Sequence, residues 1–208
     1  IAAGPSGGMT PAIIDRVYEL GGLRELGLHG EDQTIAVVSL DTFDAADVAA
    51  FDRIAGLTGP AVQKVKVNGG VASPGDGQGE VNLDIDVIRA VAPTAQILDY
   101  EAPNNGGSIA AVIDRIVADG RADIVSISWG SCELNRTATA MARMTSSMAA
   151  AAAAGITVFV ASREHGVYDC VDQVRTGLSG SVTSPPGRAP ALAVGGSLLR
   201  SVATGTDP

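Results

Sequence analysis

Aromatic side chains are scarce in this chain, at 3% of 208 residues, so any core must be built from aliphatic residues. Hydrophobic residues make up 46%, which suffices for such a core and argues against a disordered chain. Long apolar runs are lacking too, because the alanine stretch 149–154 is far shorter than the roughly 20 residues of a membrane-spanning helix. We therefore expect one folded α/β domain with no membrane as a partner.

Positive charge is also in short supply. Lysine and arginine number 14 against 23 aspartates and glutamates, which gives a formal net charge of −9. Nucleic acids and anionic membranes bind positive protein surfaces, so we expect neither as a partner. An acidic working environment would suit this balance, although a negative charge that merely aids solubility explains it as well.

Cysteine and histidine occur only twice each. His29 and His165 are not spaced with the cysteines as metal ligands would be, so we expect no metal site. The glycine-rich segment 75–79 lacks the Lys-Ser/Thr of a phosphate-binding loop, and no dinucleotide fingerprint follows the first predicted strand, so we expect no cofactor. Cys132 and Cys170 fit one disulfide in an oxidising compartment or two buried thiols, and we predict the disulfide.

Strand-like and helical segments alternate along the chain. The predicted strands cover residues 34–40, 62–67, 95–100, 124–129, 157–161 and 191–194, and the predicted helices lie near 45–57, 80–91, 108–118 and 137–154. Such alternation predicts right-handed crossovers and a mostly parallel sheet with helices on both faces, that is, a three-layer α/β fold. Gly155 stands where a glycine would end the alanine-rich helix.

Two acids are notable for their spacing. Glu80 and Asp84 are four residues apart in a predicted helix, which puts both carboxylates on one helical face. Like charges so close should raise one pKa, and such a pair can accept a hydroxyl proton at acidic pH, where histidine is already protonated. The same spacing fits a solvated helix face near the favourable end of the helix dipole. Asp86 points elsewhere and is interpreted as a surface charge.

Several sequence blocks around this pair form a pattern. They are Gly-Glu-Val-Asn-Leu-Asp-Ile at 79–85, Ala-Pro at 92–93, Ser-Ile-Ser-Trp-Gly at 126–130, Gly-Ile-Thr-Val at 155–158 and Val-Gly-Gly-Ser at 194–197. From about Thr10 to Leu199, these blocks resemble in order and spacing those of the sedolisin and kumamolisin family of serine-carboxyl peptidases. The resemblance implies a subtilisin-like fold, a Ser-Glu-Asp triad, acidic endopeptidase activity and a secreted protein.

The resemblance also implies roles for individual residues. Glu80 matches the general base, and Asp84 matches the acid that orients it. Trp129 matches a tryptophan near the substrate cleft, although a core aromatic at a strand end has the same pattern. Ser128 and Gly130 would line the groove for an extended substrate through their backbone groups.

Three departures separate the chain from the family pattern. Arg163-Glu164-His165 stands where the family has Gly-Asp-Ser, so Glu164 occupies the position of the aspartic acid that stabilises the oxyanion, with one extra methylene. The nucleophile turn Gly-Thr-Ser is missing, because Ser197 matches a structural Gly-Gly-Thr segment instead. Ser39 stands where some relatives have a glutamate that extends the carboxylate network, so we expect that extension to be absent.

We therefore interpret residues 1–208 as the N-terminal part of a single peptidase domain that is incomplete at its C-terminal end. The expected function is hydrolysis of peptide or protein substrates, with the serine beyond residue 208. A catalytically degenerate homologue that binds peptides or a protein is the alternative, and an unrelated doubly wound domain with a small-molecule site is a third.

Two expectations concern what lies outside the chain. The family's calcium site would lie beyond residue 208, so no calcium is expected here. The apolar surface left open is expected to be covered by the remainder of the domain, a separate chain or a symmetry mate.

Overall fold

Strands and helices alternate in the computed structural model much as the sequence predicts, within residues 9–162, 183–184 and 190–195, which the structure describes. The helices are α1 (Pro11–Val17), α2 (Gly21–Glu25), α3 (Ala45–Ala55), α4 (Gln78–Val91), α5 (Ser108–Asp119) and α6 (Ala138–Ala153). The strands are β1 (Thr34–Ser39), β2 (Gln63–Lys66), β3 (Gln96–Glu101), β4 (Ile124–Ile127), β5 (Ser131–Cys132), β6 (Thr157–Ala161), β7 (Thr183–Ser184) and β8 (Leu192–Val194).

Six of these strands form one parallel sheet in the order β2-β3-β1-β4-β6-β8. The central strand β1 pairs Val37 with Asp99 of β3 on one side and with Ser126 of β4 on the other. After β1, the chain adds β2 and β3 on one side of that strand. It then crosses to the other side and adds β4, β6 and β8. The carboxyl ends of β1, β3 and β4 meet at this reversal, which is where open α/β sheets form their binding crevices.

Helices cover both faces of the sheet, so the predicted three-layer, mostly parallel fold is confirmed. On one face α5 and α6 pack against the sheet and contribute Ile113 and Met148 to the larger hydrophobic cluster. On the other face α4 packs Val81 and Ile85 against Val37 and its neighbours, with α3 alongside. The alternation of side chains along each strand divides these two clusters.

Helix α4 carries the predicted acids at the edge of its buried stripe. Val81 and Ile85 are fully buried and face the sheet. Glu80 and Asp84 each precede one of these residues by a single position, which turns their side chains about 100° away from the stripe. The helix ends at Val91, and Ala92 and Pro93 follow, since a proline disfavours helical backbone in the residue before it. Both acids therefore lie beside the sheet without being part of the apolar core.

The longest described helix is α6, which ends as the sequence predicts. Gly155 has φ +81°, and the following N–H of Ile156 donates to the carbonyl of Ala151 at 3.0 Å. This left-handed glycine closes the helix and releases the chain into β6. None of the helices in the described part of the chain has both the length and the apolar character needed to span a membrane.

The sequence reading missed the two short helices α1 and α2 and the antiparallel pair β5–β7. A signal for α1 was available, because Thr10 caps the helix by accepting a hydrogen bond from Ile13 N at 3.4 Å and Pro11 occupies its first turn. Strands of two residues, such as β5 and β7, leave no periodic pattern to detect.

Replacing Ile85 by alanine should destabilise the fold through α4. Ile85 is 0% exposed, so the change opens a cavity and should lower the free energy of unfolding by about 2–5 kcal/mol. Leu83→Ala is the control, because Leu83 lies on the same helix and is 54% exposed; its effect should stay within about 0.5 kcal/mol. Urea denaturation measures both values, and equal losses would contradict the packing of α4 described above.

Candidate active site

The two acids of α4 have different surroundings. Asp84 Oδ1 accepts a hydrogen bond of 2.7 Å from Ser128 Oγ at the end of β4. The other oxygen, Oδ2, is buried and has no hydrogen-bond partner among the described residues. Glu80 is half-buried, and its carboxylate has no hydrogen bond within the described part of the chain. Asp84 is therefore held against the sheet, and Glu80 is half-buried without such an attachment among the described residues.

Burial raises the pKa of Asp84 to about 6. The hydrogen bond from Ser128 acts in the opposite direction, and the negative charge of Glu80 raises the pKa further. The sequence predicts a raised pKa from like charge, and the direction is right, but burial is the larger cause. An acid that keeps its proton in mildly acidic solution can share it with a neighbouring carboxylate.

Asp41 fixes the segment that precedes α4, a role that the sequence reading missed. This buried carboxylate follows β1 and accepts hydrogen bonds from the backbone N–H groups of Thr42 at 2.8 Å, Gly75 at 3.0 Å and Gly77 at 2.9 Å. These bonds position the N-terminus of α4, whose first turn carries Glu80. An acid placed directly after a buried strand was the available signal, because that edge of a parallel sheet is where sites form.

Trp129 connects the start of α4 with the neighbouring cavity. Its half-buried side chain packs against both hydrophobic clusters, and its Nε1 is buried without a hydrogen-bond partner among the residues described. Gly77 makes room for the indole, since a Cβ at that position would lie 2.6 Å from Trp129 Cη2 and 3.0 Å from Asp41 Cβ. Trp129 is thus both a core aromatic and a residue at the crevice.

A cavity of about 580 Å³ opens beside Trp129 and Gly130. Ile109 of α5 and Arg136 also line it, so the wall combines apolar and cationic groups. Trp129 and Gly130, two of the three residues predicted to border a substrate groove, line this cavity, and their role toward a substrate stays a prediction. The third, Ser128, is not part of the lining and directs its hydroxyl to Asp84 instead.

Several predicted residues lie outside the described residues: Glu164 with its neighbours Arg163 and His165, together with Cys170 and Ser197. Cys132 is on β5 and is 5% exposed. Within the described ranges, no group of three or more His, Cys, Asp or Glu side chains is arranged to hold a metal ion. The expectation that the chain needs no cofactor stays a prediction.

Asp86 points away from the acid pair, as expected, but it is only partly exposed. Burial raises its pKa to about 7; Asp52 and Asp47 raise it further, and Arg89 lowers it. One of its oxygens is buried with no hydrogen-bond partner among the described side chains and backbone. The interpretation as a surface charge is incomplete, because helical spacing gives the direction of a side chain but not what packs over it.

The protein should be more stable in mildly acidic than in neutral solution. The pKa values of Asp84, Asp86 and Asp99 are raised from 3.8 to about 6, about 7 and about 7. The folded chain therefore holds protons that the unfolded chain releases, so this stabilisation is complete below about pH 4 and is lost as the pH rises through the folded values. The lowered pKa values of Glu31 and Asp119 oppose it only below about pH 4.5.

Urea denaturation at about pH 5 and about pH 8 measures this effect, and the free energy of unfolding should be higher at the lower pH. Equal stability at the two pH values, or greater stability at the higher one, would contradict the burial of these three carboxyls.

Gly77→Ala should disturb the site through Trp129. The new Cβ would have to displace the indole or Asp41, at a cost of about 1–3 kcal/mol in stability. Because Trp129 is the single tryptophan, its fluorescence should shift with the displacement. Gly79→Ala is the matched control, since nothing lies within 4 Å of a Cβ there, and its spectrum should match that of the unchanged protein. Identical spectra for all three proteins would show that Gly77 does not constrain the indole.

Two curated proteins are similar in sequence to this chain. Kumamolisin from Bacillus sp. (strain MN-32) is 36% identical over 167 residues, which are 77% of this chain and 30% of the relative. Sedolisin from Pseudomonas sp. (strain 101) is 29% identical over 179 residues, which are 83% of this chain and 30% of that protein. The chain thus spans about 30% of the length of these relatives. No protein-family model matches it.

One solved structure extends the comparison to the fold. It is Pseudomonas sedolisin, a serine-carboxyl proteinase complexed with two molecules of pseudo-iodotyrostatin. The match has a TM-score of 0.78 and 24% sequence identity, and it covers 98% of this chain and 56% of that chain. At this level of identity the match bears on the fold alone, and the predicted arrangement of sheet and helices is confirmed by it.

Proposed function

We propose that residues 1–208 are the N-terminal part of a serine-carboxyl endopeptidase domain. The premise is that this chain is a sedolisin-family protein with a subtilisin-like fold, which matches part of its relatives' length. Its substrates are peptides or proteins. The serine nucleophile and the calcium site of the domain lie outside these residues, and this segment supplies the general base and its partner acid.

The observation that carries the proposal is the contrast between the two acids of α4. Both side chains are half-buried, but Asp84 accepts a hydrogen bond from Ser128 at 2.7 Å and has a buried second oxygen, whereas Glu80, one turn earlier, has no hydrogen bond among the described residues. A carboxyl group held by a hydrogen bond next to a carboxylate without one, at the carboxyl ends of central parallel strands, is an arrangement suited to proton transfer. The raised pKa of Asp84, about 6, suits work in acidic solution.

In the proposed reaction, Glu80 takes the proton of the serine hydroxyl as the serine oxygen attacks the carbonyl carbon of the substrate. Glu80 then gives that proton to the departing amine as the peptide bond breaks. Asp84 orients Glu80 and shares a proton with it. Glu164 is assigned the donor role toward the oxyanion, by its position in the sequence.

The cavity beside Trp129 and Gly130 is assigned to part of an extended substrate. Its size of about 580 Å³ lies in the range of ordinary ligand sites. The structure of Pseudomonas sedolisin is itself a complex with two inhibitor molecules, which supports ligand binding by this fold.

An apolar area on the sheet supports the presence of a covering element. Phe159 on β6 is 36% exposed, and Leu192 and Val194 on β8 are 54% and 49% exposed. Register places Phe159 beside Leu192, so these side chains form a continuous strip. We assign the remainder of the domain as its cover, because large contiguous apolar patches are rarely left open to water.

The proposal includes secretion and a disulfide between Cys132 and Cys170, since disulfides persist in oxidising compartments. Mass spectrometry after alkylation without reductant should find neither cysteine modified. Two alkylated thiols would contradict the disulfide.

A second candidate function is peptide or protein binding without catalysis. It is favoured by Arg163-Glu164-His165, which replaces the family's Gly-Asp-Ser at the oxyanion acid. A Gly-Thr-Ser turn encoded downstream of residue 208 would favour the peptidase, and its absence would favour the binding protein.

Glu80→Gln in the full-length protein tests the catalytic proposal. The amide cannot accept the serine proton, so kcat on a denatured protein substrate in acidic solution should fall by about 10²–10⁴-fold. Asp86→Asn is the control, because Asp86 is an acid of the same helix that faces α3, and its kcat should stay within about twofold of the unchanged protein. A peptide aldehyde should form an adduct with the unchanged protein. An unchanged kcat in Glu80→Gln would remove Glu80 from the mechanism.

A further inference from the structure

Asp99 is a buried acid that has no part in the mechanism proposed above. It lies on β3 and is 0% exposed. Its strand neighbour Ile97 belongs to the cluster under α4, so Asp99, two residues on, faces the same helix layer. Burying a carboxyl group in such an apolar layer destabilises the fold unless the group is hydrogen-bonded and is either neutral or paired with an opposite charge.

No ion pair among the described residues accounts for Asp99. Lys64 stands opposite it in the register of β2 and β3, but the Lys64 ammonium donates to Thr42 Oγ1 at 2.6 Å and to the Phe43 carbonyl at 2.8 Å. Ser39 Oγ donates to one oxygen of Asp99. The other oxygen, Oδ2, is buried with no hydrogen-bond partner in the described structure.

The surroundings of Asp99 mirror those of Asp84 across the centre of the sheet. The parallel register of β1 and β4, continued by two residues, brings Ser39 beside Ser128. Ser39 donates to Asp99, and Ser128 donates to Asp84. Two serines on neighbouring strands therefore stand between two carboxyl groups, and both carboxyls keep a buried oxygen without a partner among the described residues.

The charges around Asp99 favour a neutral acid at low pH. Burial raises its pKa to about 7, against the hydrogen bond from Ser39. Glu101 on the same strand and Asp84 on α4 raise it further, whereas Lys64 on β2 lowers it. In acidic solution Asp99 therefore carries a hydrogen that it can donate, and the oxygen of Asp84 that lacks a partner is an acceptor on the same side of the sheet.

We propose that Asp99 is a positioning residue of the acid pair, which holds Asp84 by hydrogen bonding to its buried free oxygen through one bridging water molecule. The inference rests on the proposed function, because Asp99 acts through Asp84 and Glu80 and does not touch the substrate. Above about pH 7, ionised Asp99 would lose the hydrogen it donates and place a second negative charge behind Asp84, so its support is confined to acidic solution.

Two substitutions of similar size separate positioning from packing. Asp99→Asn keeps an acceptor for Ser39 and a donor for Asp84, and it cannot ionise. In the full-length protein it should stay within about threefold of the unchanged kcat at about pH 5. Asp99→Leu removes both hydrogen bonds and should lower kcat by between about tenfold and a hundredfold, with KM little changed.

Stability decides how the leucine variant is interpreted. Asp99→Leu leaves the buried Ser39 hydroxyl without its acceptor and should lower the free energy of unfolding. Urea denaturation must therefore show that the variant is folded under the assay conditions, and kcat is given per folded molecule. A merely structural Asp99 would then leave kcat unaffected, and that result would overturn the proposal. The same two substitutions at Asp86, the other acid with a pKa of about 7, serve as controls and should leave kcat unchanged.

Titration of the carboxyl carbons by NMR tests the contact without relying on catalysis. In full-length Asp84→Asn, the midpoint of Asp99 should fall, because one negative neighbour is removed. In Asp86→Asn it should stay where it is. If the titration midpoint of Asp99 is the same in Asp84→Asn as in the unchanged protein, the proposal is overturned. If the unchanged protein cleaves no substrate, the proposed function fails, while the titration still decides whether Asp99 and Asp84 are coupled.

Discussion

A hydrogen bond joins the helix that carries the acids to the middle of the sheet. Ser128 Oγ donates to Asp84 Oδ1 at 2.7 Å, and this contact ties α4 to the end of β4. The position of α4 along the sheet depends on it and on the hydrogen bonds that Asp41 accepts from the backbone N–H groups of Gly75 and Gly77 just before the helix. With both ends of the first turns fixed, the direction of Glu80 follows from helix geometry alone.

Burial of carboxyl groups is the main cause of the raised pKa values in this molecule. Asp84, Asp86 and Asp99 all have raised pKa values, and in each case burial is the largest cause. An apolar core would be simpler to build, since a buried acid must be neutral or compensated. The folded protein therefore binds protons on these carboxyls more tightly than the unfolded chain does. As a result, its stability and its candidate chemistry depend on the same range of pH.

The sequence predicted the layers of the fold well because periodicity is a local property, visible in the runs around Val37 and Ile85. It also placed Glu80 and Asp84 correctly on one helix. The bond between Ser128 and Asp84 was not predictable in the same way, since it depends on the order of strands in the sheet. Asp99 escaped notice for a related reason: a lone acid inside an apolar strand shows its burial only when the neighbouring strands and helix are in place.

The distances along the chain between the paired groups have a kinetic consequence. Ser39 and Asp99 are 60 residues apart, and Ser128 and Asp84 are 44 apart. Parallel pairing of this kind brings together remote segments and is slow, because loop-closure entropy must be overcome before the contacts form. In a partly folded chain these carboxyls are therefore far apart and have ordinary pKa values. The proton-sharing groups come together only when the central strands have paired. For that reason, a newly synthesised chain would lack the proposed proton-transfer activity until late in folding.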